Sequence, residues 1–138
     1  MASLKVRDYM RPRAVTFTEN MSLSTALDKV LNAINIGGPV INEKQEVVGF
    51  LSEQDLLNRL VQVSYHCQDT HTVGDCMNKD ALTISPEMSV LALAEMMEIG
   101  KPKVYPVVEN KKLVGIISRR EVLKAVSDNF NSCFKKPL

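Results

Sequence analysis

Apolar residues recur along the chain in two alternating rhythms. Leu23, Ala26, Leu27, Val30, Leu31 and Ile34 fall on one stripe at helical spacing, just after Ser22, a residue type that caps helix N-termini. Before that stripe, Ala14-Val15-Thr16-Phe17 reads as a short strand. After it come Pro39-Val40-Ile41 and Val47-Val48-Gly49-Phe50-Leu51, two brief β-rich runs joined by a polar turn in the manner of a hairpin. A second helix closes the unit and is predicted to turn Leu56, Leu57, Leu60 and Val61 inward. The same series then returns. Ala81-Leu82-Thr83-Ile84 is the strand and Ser89 the cap. Val90, Leu93, Ala94 and Met97 form the stripe of a helix over 89–99. Val107-Val108 and residues 113–117 make the hairpin, and Val122, Leu123 and Val126 sit in the closing helix.

The return is a duplication. Residues 6–41 align without a gap onto 73–108 at an offset of 67, and nine of the 36 pairs are identical. Average residue usage gives only about two such matches by chance. The second copy loses one residue in the polar turn, after which Val48-Gly49-Phe50-Leu51-Ser52 pairs with Val114-Gly115-Ile116-Ile117-Ser118 at an offset of 66. Turns are where a duplicated fold tolerates a change of length. A copy of roughly 60 residues buries little surface alone, so the two are expected to pack as one body.

The order β-α-β-β-α, with Pro-Val on the second strand and Gly-x-x-Ser-x-x-acid ending the third, resembles the CBS domain. An Asp-x-Met lead-in (Asp8/Met10, Asp75/Met77) adds to the resemblance, which covers the chain from about Val6 to Val126. It implies an α+β fold of two repeats packed as a pseudo-two-fold pair, a Bateman module. The boundaries are read as repeat one at 6–63, a linker at 64–72, repeat two at 73–127 and a tail at 128–138. It further implies two clefts that hold adenosine-containing ligands such as AMP, ADP, ATP or S-adenosylmethionine. Such modules regulate another protein, here an unidentified one, and commonly dimerise.

Carried onto this sequence, one cleft combines Thr83, Pro102 and Lys103 with Ser52 and Asp55. The other combines Thr16, Asn35 and Ile36 with Ser118 and Glu121. The family's acid accepts the hydroxyls of a ribose, and a strand ending at a helix N-terminus suits phosphate. Each position also has a plainer reading. Ser-x-x-acid is a capping box, which Glu121 suits better than the shorter Asp55. Thr16 and Thr83 fit a strand, and Asn35 and Ile36 merely end a helix. Arg119 and Arg120 fall in a first helical turn, where the macrodipole disfavours cations; they either face solvent or attend phosphates.

Composition changes this picture little. A net charge of +1 gives no basic excess, so no nucleic-acid partner is expected. No apolar run is long enough to insert in a membrane, and charges at Lys5, Arg7 and Asp8 interrupt any signal peptide. Three cysteines in a chain of this size point to reduced thiols and a cytoplasmic setting. His66, Cys67, His71 and Cys76 have no spacing typical of zinc, so no metal is assigned. No nucleophile–base pair or glycine-rich phosphate loop appears, so the chain is read as no enzyme, with no required cofactor. Two alternatives to ligand sensing stay open. One is a ligand-independent dimeric adaptor, the other a thiol- or metal-responsive switch through residues 66–76. A homodimer is expected because Ala92, Met96 and Ile99 form a second apolar stripe where copy one has Thr25, Lys29 and Asn32. Cover from Phe130, Cys133 and Phe134 is the competing explanation.

Overall fold

The computed structural model describes residues 4–33, 37–66 and 71–134. The elements in order are α1 (Val6–Tyr9), α2 (Leu23–Leu31), β1 (Gly37–Ile41), β2 (Val47–Ser52), α3 (Glu53–His66), α4 (Val73–Cys76), α5 (Val90–Met96), β3 (Val104–Glu109), β4 (Lys112–Ser118) and α6 (Arg119–Phe134). The two hairpins are antiparallel and share one register, Pro39 opposite Phe50 and Pro106 opposite Ile116. Each carries an irregularity one residue after its Pro-Val, at Val40/Ile41 and Val107/Val108. Ser22 and Ser89 accept the N–H of Thr25 and Ala92 and so cap α2 and α5 as the sequence suggests.

The expected first strands shrink to one rung each. Phe17 lies parallel to Val40, donating its N–H to the Pro39 carbonyl and accepting from Ile41; Ile84 does the same with Pro106 and Val108. The next rung back requires an N–H from Pro39 or Pro106, which proline lacks. The runs 14–16 and 81–83 are therefore irregular, with Phe17 and Ile84 as their buried anchors.

Two cores form, and each contains a piece of the other repeat. Val6 is wholly buried among Ile84, Val90, Leu93, Tyr105 and Val107 of repeat two. Val73 is wholly buried among Phe17, Leu23, Val40, Leu51 and Leu56 of repeat one. Beyond these anchors, Arg11 pairs with Ile116 on β4 and Asn78 with Phe50 on β2. Both exchanges require a glycine. A Cβ on Gly49 falls 2.6 Å from Met77 Sδ, and one on Gly115 falls 2.6 Å from the Arg11 carbonyl. Reciprocal docking of the lead-ins joins two small hairpin units into one body.

Several inward assignments are corrected. Leu31, Leu57, Val61 and Leu123 are exposed, because the apolar positions on each helix span more of its circumference than its packed neighbours cover. Helix α5 stops at Met96 rather than 99, and Ile99 is fully exposed ahead of Gly100, whose φ of +91° turns the chain. Helix α6 continues to Phe134, so residues 128–134 of the expected tail are helical. Helix α3 likewise runs to His66, into the expected linker. Ile34 lies outside the described residues.

Candidate functional site

The Ser-x-x-acid motif closes each hairpin at the start of α3 and α6, but its two copies are wired differently. In repeat two, Ser118 donates from both its N–H and its Oγ to Glu121 Oε1, each at 2.7 Å. The acid is committed to its own helix cap. In repeat one, Asp55 donates its N–H to Ser52 Oγ at 3.0 Å, and its shorter side chain does not reach back. Among the described residues the Asp55 carboxylate accepts no hydrogen bond, although it stands half-buried one turn into α3.

Each acid borders a cleft walled by the lead-in of the other repeat. Asp55 and Arg59 face Asp75 and Cys76 across a cavity of about 210 Å³. Arg120, Glu121 and Lys124 face Asp8, Tyr9 and Arg11 across one of about 900 Å³. The two are counterparts, Asp55 with Glu121 and Asp75 with Asp8. The backbone N–H of Thr72 donates to Asp75 at 2.9 Å and holds that carboxyl below the usual carboxylate range. Burial pushes the neighbouring Cys76 thiol up, so it is a poor nucleophile. The Asp-x-Met signature marks the lead-ins in sequence but not their place as cleft walls, since only the exchange of Val6 and Val73 brings them here.

The remaining sequence-assigned residues are more dispersed than expected. Asn78, paired with Phe50, starts segment 78–83 beside β2, but Thr83 lines a separate cavity of about 420 Å³ with Val47, Val48 and Lys111. Pro102 and Lys103 are exposed, and the Lys103 carbonyl accepts from Arg119 N–H at 2.9 Å. The Thr16 carbonyl accepts from Lys29 Nζ, which also lies 5.5 Å from the centroid of the Phe17 ring. Arg119 is exposed, as is Arg120 at its cavity edge. Asn35 and Ile36 lie outside the described residues, as do Cys67 and the side chain of His66. Among the described residues no group of three or more His, Cys, Asp or Glu could hold a metal ion, and no helix is long and apolar enough to cross a membrane.

The CBS-domain profile matches residues 6–62 and again 73–128. The chain belongs to the CBS-domain family. It is similar to CBSX2 of Arabidopsis thaliana, at 26% identity and a TM-score of 0.81 over 94% of this chain and 99% of that one. A CBSX2 crystal structure in complex with AMP matches at 27% identity and a TM-score of 0.80, covering 92% and 98% of the two chains. The A-adding tRNA nucleotidyltransferase of Aquifex aeolicus is 31% identical over 91% of this chain, which spans only 15% of that enzyme. The chain spans 44% and 65% of two further curated relatives, an uncharacterized protein of Methanocaldococcus jannaschii and the mitochondrial CBSX3 of Arabidopsis thaliana. The stretch similar to this chain is thus only part of these curated relatives, whereas it covers 99% of the solved CBSX2 chain.

Proposed function

We propose that this CBS pair is a cytoplasmic regulatory module that binds an adenosine-containing ligand at Asp55 and modulates a partner protein. The observation that carries this reading is the difference between the two acids: Glu121 is used by its own cap, whereas the Asp55 carboxylate is left to accept a ribose diol. The AMP complex of CBSX2 supports the ligand class. Ser52 and Asp55 form the centre of this proposed site; Thr83, which lines a separate cavity, and Pro102 and Lys103, whose segment is bonded to Arg119, are assigned to it by the family resemblance alone. Thr16, Asn35, Ile36, Ser118 and Glu121 are proposed, on the family resemblance, for a weaker second site, with Arg119 and Arg120 as its phosphate contacts. AMP, ADP, ATP and S-adenosylmethionine are the candidates. A ligand held at a hundred times its Kd stabilises the folded state by about 2.7 kcal/mol, so at least one of the four is expected to raise the melting temperature by several degrees. No shift with any of them argues for the ligand-independent adaptor.

The module is also proposed to be a homodimer. Met96 and Ile99 are exposed, as is Ala92, and none of them has an apolar counterpart in repeat one. Phe130 is itself exposed, which weighs against its serving as their cover. Sedimentation equilibrium is expected to give twice the 15.4 kDa of one chain, and Met96→Lys with Ile99→Lys to return it to one. A wild-type monomer contradicts the assignment.

A further inference from the structure

The two lead-ins dock on equivalent backbone frames. Val6 N–H donates to the Met88 carbonyl at 2.9 Å and Arg7 N–H to that of Pro86 at 2.8 Å. Val73 and Gly74 repeat this with Met21 and Glu19, at 2.9 and 2.8 Å. The side chains differ in kind. Lys5 lies 2.8 Å from Glu87 Oε2, and Arg7 lies 2.8 Å from Glu87 Oε1 and 2.6 Å from Glu109 Oε2. Tyr9 donates to Asp128 at 2.8 Å. The counterparts of Glu87, Glu109 and Asp128 are Asn20, Asn42 and Gln62, and those of Lys5, Arg7 and Tyr9 are Thr72, Gly74 and Cys76. Every acid that holds the first lead-in is an amide at the second. There, Thr72 and Asp75 cap one another, and Arg59 donates to a neutral backbone carbonyl, that of Asp75.

We propose that residues 4–11 form an ionically latched strap, whose docking is weakened by salt and whose lifting dismantles the cavity at Glu121 while leaving that at Asp55 intact. Asp8, Tyr9 and Arg11 are the strap's share of the 900 Å³ cavity, whereas the Asp55 cavity takes its wall from Asp75 and Cys76. The latch residues are roughly half exposed, between 42% and 52%, so salt screens them. Isolated pairs of this kind contribute little, but here both oxygens of Glu87 are engaged and Arg7 bridges two acids, so the charges act as a network. The hydrogen bonds from Lys5 and Arg7 hold the Glu87 carboxyl below its ordinary range. Buried Val6, and Met10 beside Gly115, anchor the strap without charge. Loss of the latch therefore shifts a local opening equilibrium rather than unfolding repeat two.

Hydrogen exchange of the full chain, read by mass spectrometry, tests this. In Glu87→Gln the amides of 4–11 are expected to exchange about three- to tenfold faster than in wild type, with those of 72–78 unchanged. Salt at about 0.5 M should reproduce the acceleration in wild type and add little in the variant. Glu109→Gln, which removes one pair, should fall between the two. Unaltered exchange in Glu87→Gln, or equal acceleration of both lead-ins, overturns the proposal.

Discussion

Replacing Asp55 by Asn is expected to weaken binding of the adenosyl ligand by about ten- to a hundredfold while barely moving the melting point of the unliganded chain. Hydrogen bonds to a charged group contribute roughly 1.5–3 kcal/mol, and a ribose diol loses that charged acceptor in the variant. The fold loses little. Helix α3 is capped by Ser52 Oγ accepting from the Asp55 backbone N–H, a bond that Asn preserves. What disappears is a negative charge in the first turn, worth roughly 0.3–1 kcal/mol. Glu121→Gln should behave in the opposite way. Its carboxylate receives both Ser118 donors, so the change weakens a charge-assisted cap and lowers stability by about 0.5–2 kcal/mol, with little effect on affinity. Titrations and melts of both variants separate the roles. An Asp55→Asn protein that binds as wild type does leaves the Asp55 carboxylate with no part in ligand binding.

The second large effect concerns the glycines beneath the exchanged lead-ins. Gly115→Ala is expected to destabilise the chain by about 1–3 kcal/mol, lowering the melting temperature by roughly 4–12 °C. The new Cβ meets the Arg11 carbonyl at 2.6 Å. That carbonyl cannot turn away, because it accepts from Ile116 N–H at 2.9 Å while Arg11 N–H donates to Ile116 at 2.7 Å. Gly49→Ala should be milder, because its nearest contact is the flexible Met77 Sδ at 2.6 Å, with the Asn78 carbonyl at 2.9 Å. Pairing Gly49→Ala with Met77→Ala, which removes the clashing Sδ, should cost less than the sum of the two single changes. The matching Met10→Ala should give no such saving with Gly115→Ala, whose nearest contact is backbone. Equal melting of Gly115→Ala and wild type is incompatible with a lead-in docked on β4.

The duplication, the hairpins and their anchors were legible because periodicity and repeat register are local properties. Phe17, Val40, Leu51 and Leu56 are buried as their spacing implies. The β-propensity at 14–17 and 81–84 overstates the first strands, which reduce to one rung each. Their missing rung depends on which strand lies alongside, and only then does proline at 39 or 106 remove a donor. The exchange of Val6 and Val73 was hidden for a related reason, since alignment assigns each to the repeat it precedes while packing gives it to the other. Leu57 and Leu123 look like core in a helical stripe, and only the finished packing shows them left uncovered. At the candidate site, side-chain length alone separated Asp55 from Glu121, and the hydrogen bonds follow it. The walls contributed by Asp8, Tyr9, Asp75 and Cys76 could not be read without the exchange.

Ligand sensing through Asp55 is tested most directly by calorimetric titration of the wild-type chain with AMP, ADP, ATP and S-adenosylmethionine. At least one is expected to bind saturably, with a stoichiometry near one per chain, since among the described residues only one of the two acids accepts no hydrogen bond. No binding heat from any of the four at up to about 1 mM, where Kd corresponds to roughly 4 kcal/mol, contradicts it and leaves a dimeric adaptor.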